Sequence, residues 1–275
     1  MNEPPSPHLK GRCPFRVGAT SYVLPDHILP NVEFLAPLVD DVELVLFETD
    51  EYGSNLPDDD AIRRLLELAA EHDLTYTVHL PLDLRLGEGE GFDDLSLLKA
   101  RRVIESTRGL EPYAYTLHLD GADLVSRSPT PALLSAWRER CRRALMHVGE
   151  SLERLDLLSI ENVEGWDPEF FGPILDVLPV SRVVDVGHLW LQGTDPGVHL
   201  DRWVARARIV HLHGIGERDH SSLEHVDPKL LDPVVELLMG RFRGVVTVEV
   251  FSLGDFQSSM EALSASLQRL AGGAS

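Results

Sequence analysis

Eight short runs rich in Val, Leu and aromatic residues recur along the chain, separated by stretches of helical periodicity, and this alternation restricts the fold more than any other feature. The runs cover residues 15–22, 42–48, 75–81, 113–119, 157–162, 182–188, 207–213 and 245–251. Between them lie amphipathic segments such as residues 59–73 and 131–155, whose apolar residues recur at three and four spacing. Apolar strands alternating with helices indicate a parallel sheet, and eight such units closed on themselves form a single (β/α)8 TIM barrel, the expected α/β fold. An open doubly wound sheet fits less well. No GxGxxG fingerprint follows the first run, and polar residues end nearly every run instead of gathering at one switch point.

A length of 275 residues with 43% hydrophobic content suits one such barrel. Residues 1–14, polar and proline-rich, are expected to be a flexible tail, with residues 15–275 forming the barrel domain, since no linker or repeat divides them. Cys13 and Cys141 are the only cysteines, which excludes a disulfide framework and a zinc finger and points to a cytoplasmic protein. No apolar run reaches the roughly 18 residues of a membrane span, so no membrane partner is expected. The formal charge of −20, spread along the chain, argues against a nucleic-acid partner. There is no Walker loop and no GxSxG elbow to support P-loop or serine chemistry.

The residues that close the runs are Glu48, His79, His118, Glu161, Asp185 with His188, His211 with His213, and Glu249. In a parallel barrel all of these ends share one face, so residues distant in sequence converge on one pocket. Carboxylates and imidazoles without thiolates are the ligand set for Zn, Mn, Co or Fe as a divalent metal. Taken singly, a strand histidine such as His79 is ordinarily a hydrogen-bonded core residue. Glu249 between Val248 and Val250, and Glu161 in SIEN, are harder to explain that way, because an unpartnered buried carboxylate costs several kcal/mol. A shared cation removes that cost for all of them at once. Four further histidines, His8, His72, His147 and His199, are expected at the surface, and the run 138–143 (RERCRR) on an exposed, charge-paired helix face.

A Glu closing the fifth run, Asp and His three apart at the sixth, VHLHG on the seventh and a Glu on the eighth resemble the xylose isomerase-like barrel superfamily. That group contains sugar-phosphate isomerases and epimerases and the endonuclease IV proteins. The segments FRVGATSYVLP, DDVELVLFE and HLHGIGERDHSSL are most similar to its cobamide-remodelling phosphodiesterase branch.

The resemblance implies that Glu161, Asp185, His211 and Glu249 surround one metal, with Glu161 bridging to a second held by His79 and His118. It places His188 at a third metal, whose other ligands in the endonuclease are an Asp and a His two residues apart. Here Asp219 and His220 are adjacent and His225 follows, so one to three ions are expected and His188 is assigned to a third metal, to water activation or to substrate. His220 and His225 are candidate proton donors. Arg218, Glu48 and His213 are candidate substrate contacts, with Arg218 clamping a phosphate. The implied reaction is hydrolysis of the nucleotide loop of a cobamide, a small-molecule corrinoid substrate, to cobinamide phosphate and an α-ribazole-type nucleoside. The loops 84–94 and 120–131 are expected to border the corrinoid. The alternative is a divalent-metal sugar or sugar-phosphate isomerase or epimerase, followed by an apurinic endonuclease and a corrinoid-binding barrel without catalysis.

Overall fold

A computed structural model describes residues 8–49, 53–82, 84, 95–119, 121, 124, 129–216 and 218–273. Its strands in chain order are β1 (Arg16–Thr20), β2 (Asp41–Val45), β3 (Glu48–Thr49), β4 (Gly53–Ser54), β5 (Thr75–His79), β6 (Tyr115–His118), β7 (Leu158–Glu161), β8 (Ser181–Asp185), β9 (Ala207–Leu212) and β10 (Val245–Val248). All but β3 and β4 close into a parallel barrel in the order β1-β10-β9-β8-β7-β6-β5-β2. The expected (β/α)8 architecture is therefore present. Helices connect the strands and start on local signals. Asp58 accepts from the Ala61 amide to cap Asp59–His72, and Thr130 followed by Pro131 opens Pro131–Gly149.

Every second residue of a barrel strand faces inward, and this period arranges the interior in levels. Ala114, Val183, Ile209 and Val245 form a small apolar cluster near the strand starts. Two residues further along come Thr116, Asp185, His211 and Thr247, and the next inward positions include His118, His213 and Glu249. The barrel thus changes from apolar to ionisable as the strands approach their carboxyl ends.

Three boundaries depart from expectation for visible reasons. β2 stops at Val45, because the Asn55 side chain accepts from the Phe47 amide (2.6 Å) and donates to the Val45 carbonyl (3.1 Å). Glu48 consequently leaves the barrel for the small β3-β4 hairpin. β8 stops at Asp185, whose Oδ1 accepts from the His188 amide at 2.7 Å and caps the helix Val186–Leu191. The expected tail also extends too far: Leu9 is buried, and the Gly11 amide donates to Asp40 Oδ1 at 2.9 Å, so these residues pack on the underside of the barrel.

Candidate metal centre

The register of the sheet builds the site. Pairing of β6 with β7 sets His118 beside Glu161, and pairing of β8 with β9 sets Asp185 beside His211. Glu161 Oε2 lies 2.9 Å from His118 Nε2 and 3.4 Å from His79 Nε2, while its Oε1 lies 2.9 Å from His211 Nδ1. His211 Nδ1 is also 3.0 Å from Glu249 Oε2 and 3.7 Å from Asp185 Oδ2. One carboxylate therefore belongs to two ligand groups, His79-His118-Glu161 and Glu161-Asp185-His211-Glu249, in each of which the ligand atoms lie within 4.8 Å of one another.

A further group, Asp185-His188-His213-His220, meets the same limit, as does Glu164-His188-Asp219. Adjacency of Asp219 and His220 does not prevent both from facing the site. The Gly214–Ser221 bridge closes the loop, and His220 takes a left-handed φ of 52°. Asp219 Oδ2 then lies 3.6 Å from His188 Nε2 and 3.1 Å from His220 Nδ1, and His220 Nε2 reaches Glu249 Oε2 at 3.3 Å.

Several imidazoles are oriented by backbone carbonyls. His79 Nδ1 pairs with the Leu80 carbonyl (2.7 Å), His188 Nδ1 with that of Asn162 (3.0 Å) and His213 Nδ1 with that of Gly214 (3.1 Å). A proton fixed on Nδ1 leaves the Nε2 lone pair for a cation. On the opposite side, His211 Nε2 lies 3.1 Å from Oε2 of the fully buried Glu43, a charge contact without hydrogen-bond geometry, and Glu43 Oε1 accepts from Thr116 at 3.0 Å.

These residues fit a divalent cation. Asp185 Oδ2, His188 Nε2, His213 Nε2 and Glu249 Oε2 are buried without a hydrogen-bond partner among the described residues. A pocket of about 520 Å³ lies over them, lined by ligand residues together with Val45, Leu82, Val163, Trp166 and Phe251, and no Lys or Arg is among its lining residues in the described part of the chain. Burial opposes protonation of the histidines, yet the carboxylates prevail. Asp185 and Asp219 raise His188 to about 11, Glu249 and Asp219 raise His220 to about 10, and Glu161, Glu43 and Glu249 raise His79 to about 9. Burial likewise disfavours ionisation of Glu161, but His211 and His118 hold it well below the ordinary carboxylate range. Protons do here what a cation of higher charge does better.

Five residues singled out in the sequence sit in other surroundings than expected. Glu48 pairs with Arg102 and does not line the metal pocket. Arg218, largely exposed, pairs with Asp255. His225 lies half exposed on the short turn Leu223–His225, where its nearest acid is Glu224 at 3.9 Å. His199 is buried, between Glu169 (3.1 Å) and Arg182 (3.0 Å); burial, Arg182 and Arg202 press it to about 3, so it stays neutral. His213, expected to touch substrate, sits instead beneath the pocket beside Asp185, at 3.2 Å. Sequence reasoning missed Glu43 and Glu164 and gave Asp219 no role. The two-residue alternation in DVELV was the available signal for Glu43, whereas nothing in the sequence marks Glu164. The loops 84–94 and 120–131 fall largely outside the described residues.

No family model matches the chain, and no curated protein sequence matches it. Similar crystal structures include a D-tagatose 3-epimerase-like protein, at TM-score 0.73 and 18% identity, covering 95% of this chain and 100% of that one. Endonuclease IV from Thermus thermophilus follows at TM-score 0.70 and 16% identity, covering 92% and 99%. The 3-keto-D-glucoside 4-epimerase from E. coli gives 0.67 and 15%, again covering 92% and 99%. At these identities the likeness concerns the fold, the (β/α)8 barrel that the strand order already shows. Among the described residues, no helix is long and apolar enough to cross a membrane.

Proposed function

We propose that the chain is a divalent-metal phosphodiesterase, and that its substrate is a cobamide, cut in the nucleotide loop to cobinamide phosphate and an α-ribazole-type nucleoside, as in the CbiR type. The observation that carries the hydrolytic reading is the continuity of the ligand groups. The four-ligand group shares Glu161 with the His79-His118 pair and Asp185 with the His188-His213-His220 group. A single-metal isomerase has no use for those additional ligands, whereas a phosphodiester, whose charge repels nucleophiles, needs several positive centres. The choice of a cobamide rests on the sequence resemblance.

His79, His118, Glu161, Asp185, His211 and Glu249 would hold the cation, with His188, His220 and Asp219 beside them. When bound, a divalent cation neutralises phosphoryl charge and lowers the pKa of water. The chain's own groups then handle protons. Glu249, ionised and at the pocket wall, accepts the one proton of the attacking water, whose oxygen bonds to phosphorus as the ribose P–O bond breaks. His220, between Asp219 and Glu249 at the pocket wall, gives a proton to the departing ribose oxygen. Leu82, Val163 and Trp166 supply apolar wall beside these groups.

A second reading, a sugar isomerase or epimerase, is favoured by the epimerases among the similar structures and by Glu161 and Glu249 flanking one imidazole, a suitable pair for proton transfer. Incubation of metal-reconstituted protein with adenosylcobalamin and, separately, with ketoses separates the two by product mass. Cobinamide phosphate and a free nucleoside are expected, with Glu161→Gln binding corrinoid but not cutting it. Ketose interconversion with intact cobamide would overturn the phosphodiesterase reading. Cleavage of abasic DNA at low protein concentration would instead support the endonuclease.

A further inference from the structure

Beside the metal pocket lies a second cleft of about 420 Å³, lined by Tyr22, Val23, Leu24, Pro25, Phe47 and Leu253, with Ser252 at its edge. Val45 and Phe251 line both spaces, so the cleft continues the metal pocket. No charged side chain is among its lining residues, in contrast to the ring of acids and imidazoles next door. Its one aliphatic hydroxyl, on Ser252, is engaged with Asp255. Two aromatic rings contribute to its wall, Tyr22 and Phe47, which pack edge to face with centroids 5.4 Å apart. Phe251, 41% exposed at the junction, stands 5.3 Å from the His220 ring. The volume lies in the range of small-molecule sites, about 300–1,000 Å³.

We propose that this cleft is a binding subsite for a flat, uncharged heteroaromatic ring of the substrate, of benzimidazole or purine size. An apolar, neutral space with aromatic walls stabilises such a ring by burial and by edge-to-face contact, and it rejects a charged group, which would lose hydration without a partner. A ring seated there is carried past Phe251 to His220, the residue assigned to protonate the departing sugar. The subsite therefore orients the leaving nucleoside, and it deepens the phosphodiesterase reading while resting on it only for that role.

The test uses the full-length, metal-loaded protein and benzimidazole riboside as probe, with binding measured by calorimetry. Wild type is expected to bind it, and Phe47→Ala and Leu24→Ala each to weaken binding about tenfold or more. Circular dichroism melting identifies a variant that has merely unfolded, and the other variant then carries the comparison. With diesters as substrates, the KM preference for one bearing the ring over a ringless one falls in the same variants. No binding by wild type, equal binding by both variants, or Phe47-dependent dimerisation in place of ligand binding would each overturn the subsite. Phe47-dependent ring binding without hydrolysis of any diester would leave the subsite standing and remove the phosphodiesterase reading.

Discussion

Glu43 is a buried acid placed behind one of the candidate ligands of a cation. Its carboxylate accepts from Thr116 and lies 3.1 Å from His211 Nε2 without hydrogen-bond geometry, so its charge favours a more basic His211 Nδ1. Glu43→Gln is expected to fold normally and to lose about 10–100-fold in metal affinity, read by competition with a chromogenic chelator; unchanged affinity would remove this role. Asp41, two residues earlier and fully buried, behaves differently. Burial pushes it up to about 7 although Thr75 and Thr77 donate to it. The folded state thus holds a proton that the unfolded chain releases near pH 4, and ionisation becomes a liability on the order of 4 kcal/mol as pH rises from about 4 to 7. Asp41→Asn removes that liability. Its Tm should exceed wild type by several degrees at pH 8, with the gain shrinking towards pH 5; an equal gain at both would refute the assignment.

The connection from β8 to its helix shows why element boundaries carry chemistry. Gly187 sits on the first turn of Val186–Leu191, and a Cβ added there would lie 2.2 Å from His213 Cε1. Gly187→Ala is therefore expected to displace the His213 ring and weaken metal binding while far-UV circular dichroism stays unchanged. Retained affinity would mean that His213 does not help to shape the site. Eight strands, their parallel order and, Glu48 apart, the acids and histidines at or just past their ends were legible, because apolar runs and helical periodicity report burial directly. Glu43 was hidden because DVELVLFE reads equally well with its inward residues at Glu43 or at Glu48. The decision lies with Asn55, which binds the backbone on both sides of the break. Arg218 and His225 misled for a related reason: a loop's inward residues depend on a closing bridge and a positive φ, which spacing alone does not reveal.

At the scale of the whole barrel, acids and imidazoles concentrated at one end make stability depend on what neutralises them. Without a cation, His79, His220 and His188, raised to about 9, 10 and 11, supply stability that is complete below about pH 6.5 and lost as pH climbs through those values. Cation binding displaces the same protons and so strengthens as pH rises. Melting with and without a chelator should therefore show a metal-dependent rise in Tm that is larger at pH 8 than at pH 6. A rise independent of pH would show that these histidines do not exchange protons for metal. The capping role of Asp185 has a different implication. One oxygen starts a helix while the same side chain belongs to two ligand groups, so a change at Asp185 would disturb the local fold and the site together.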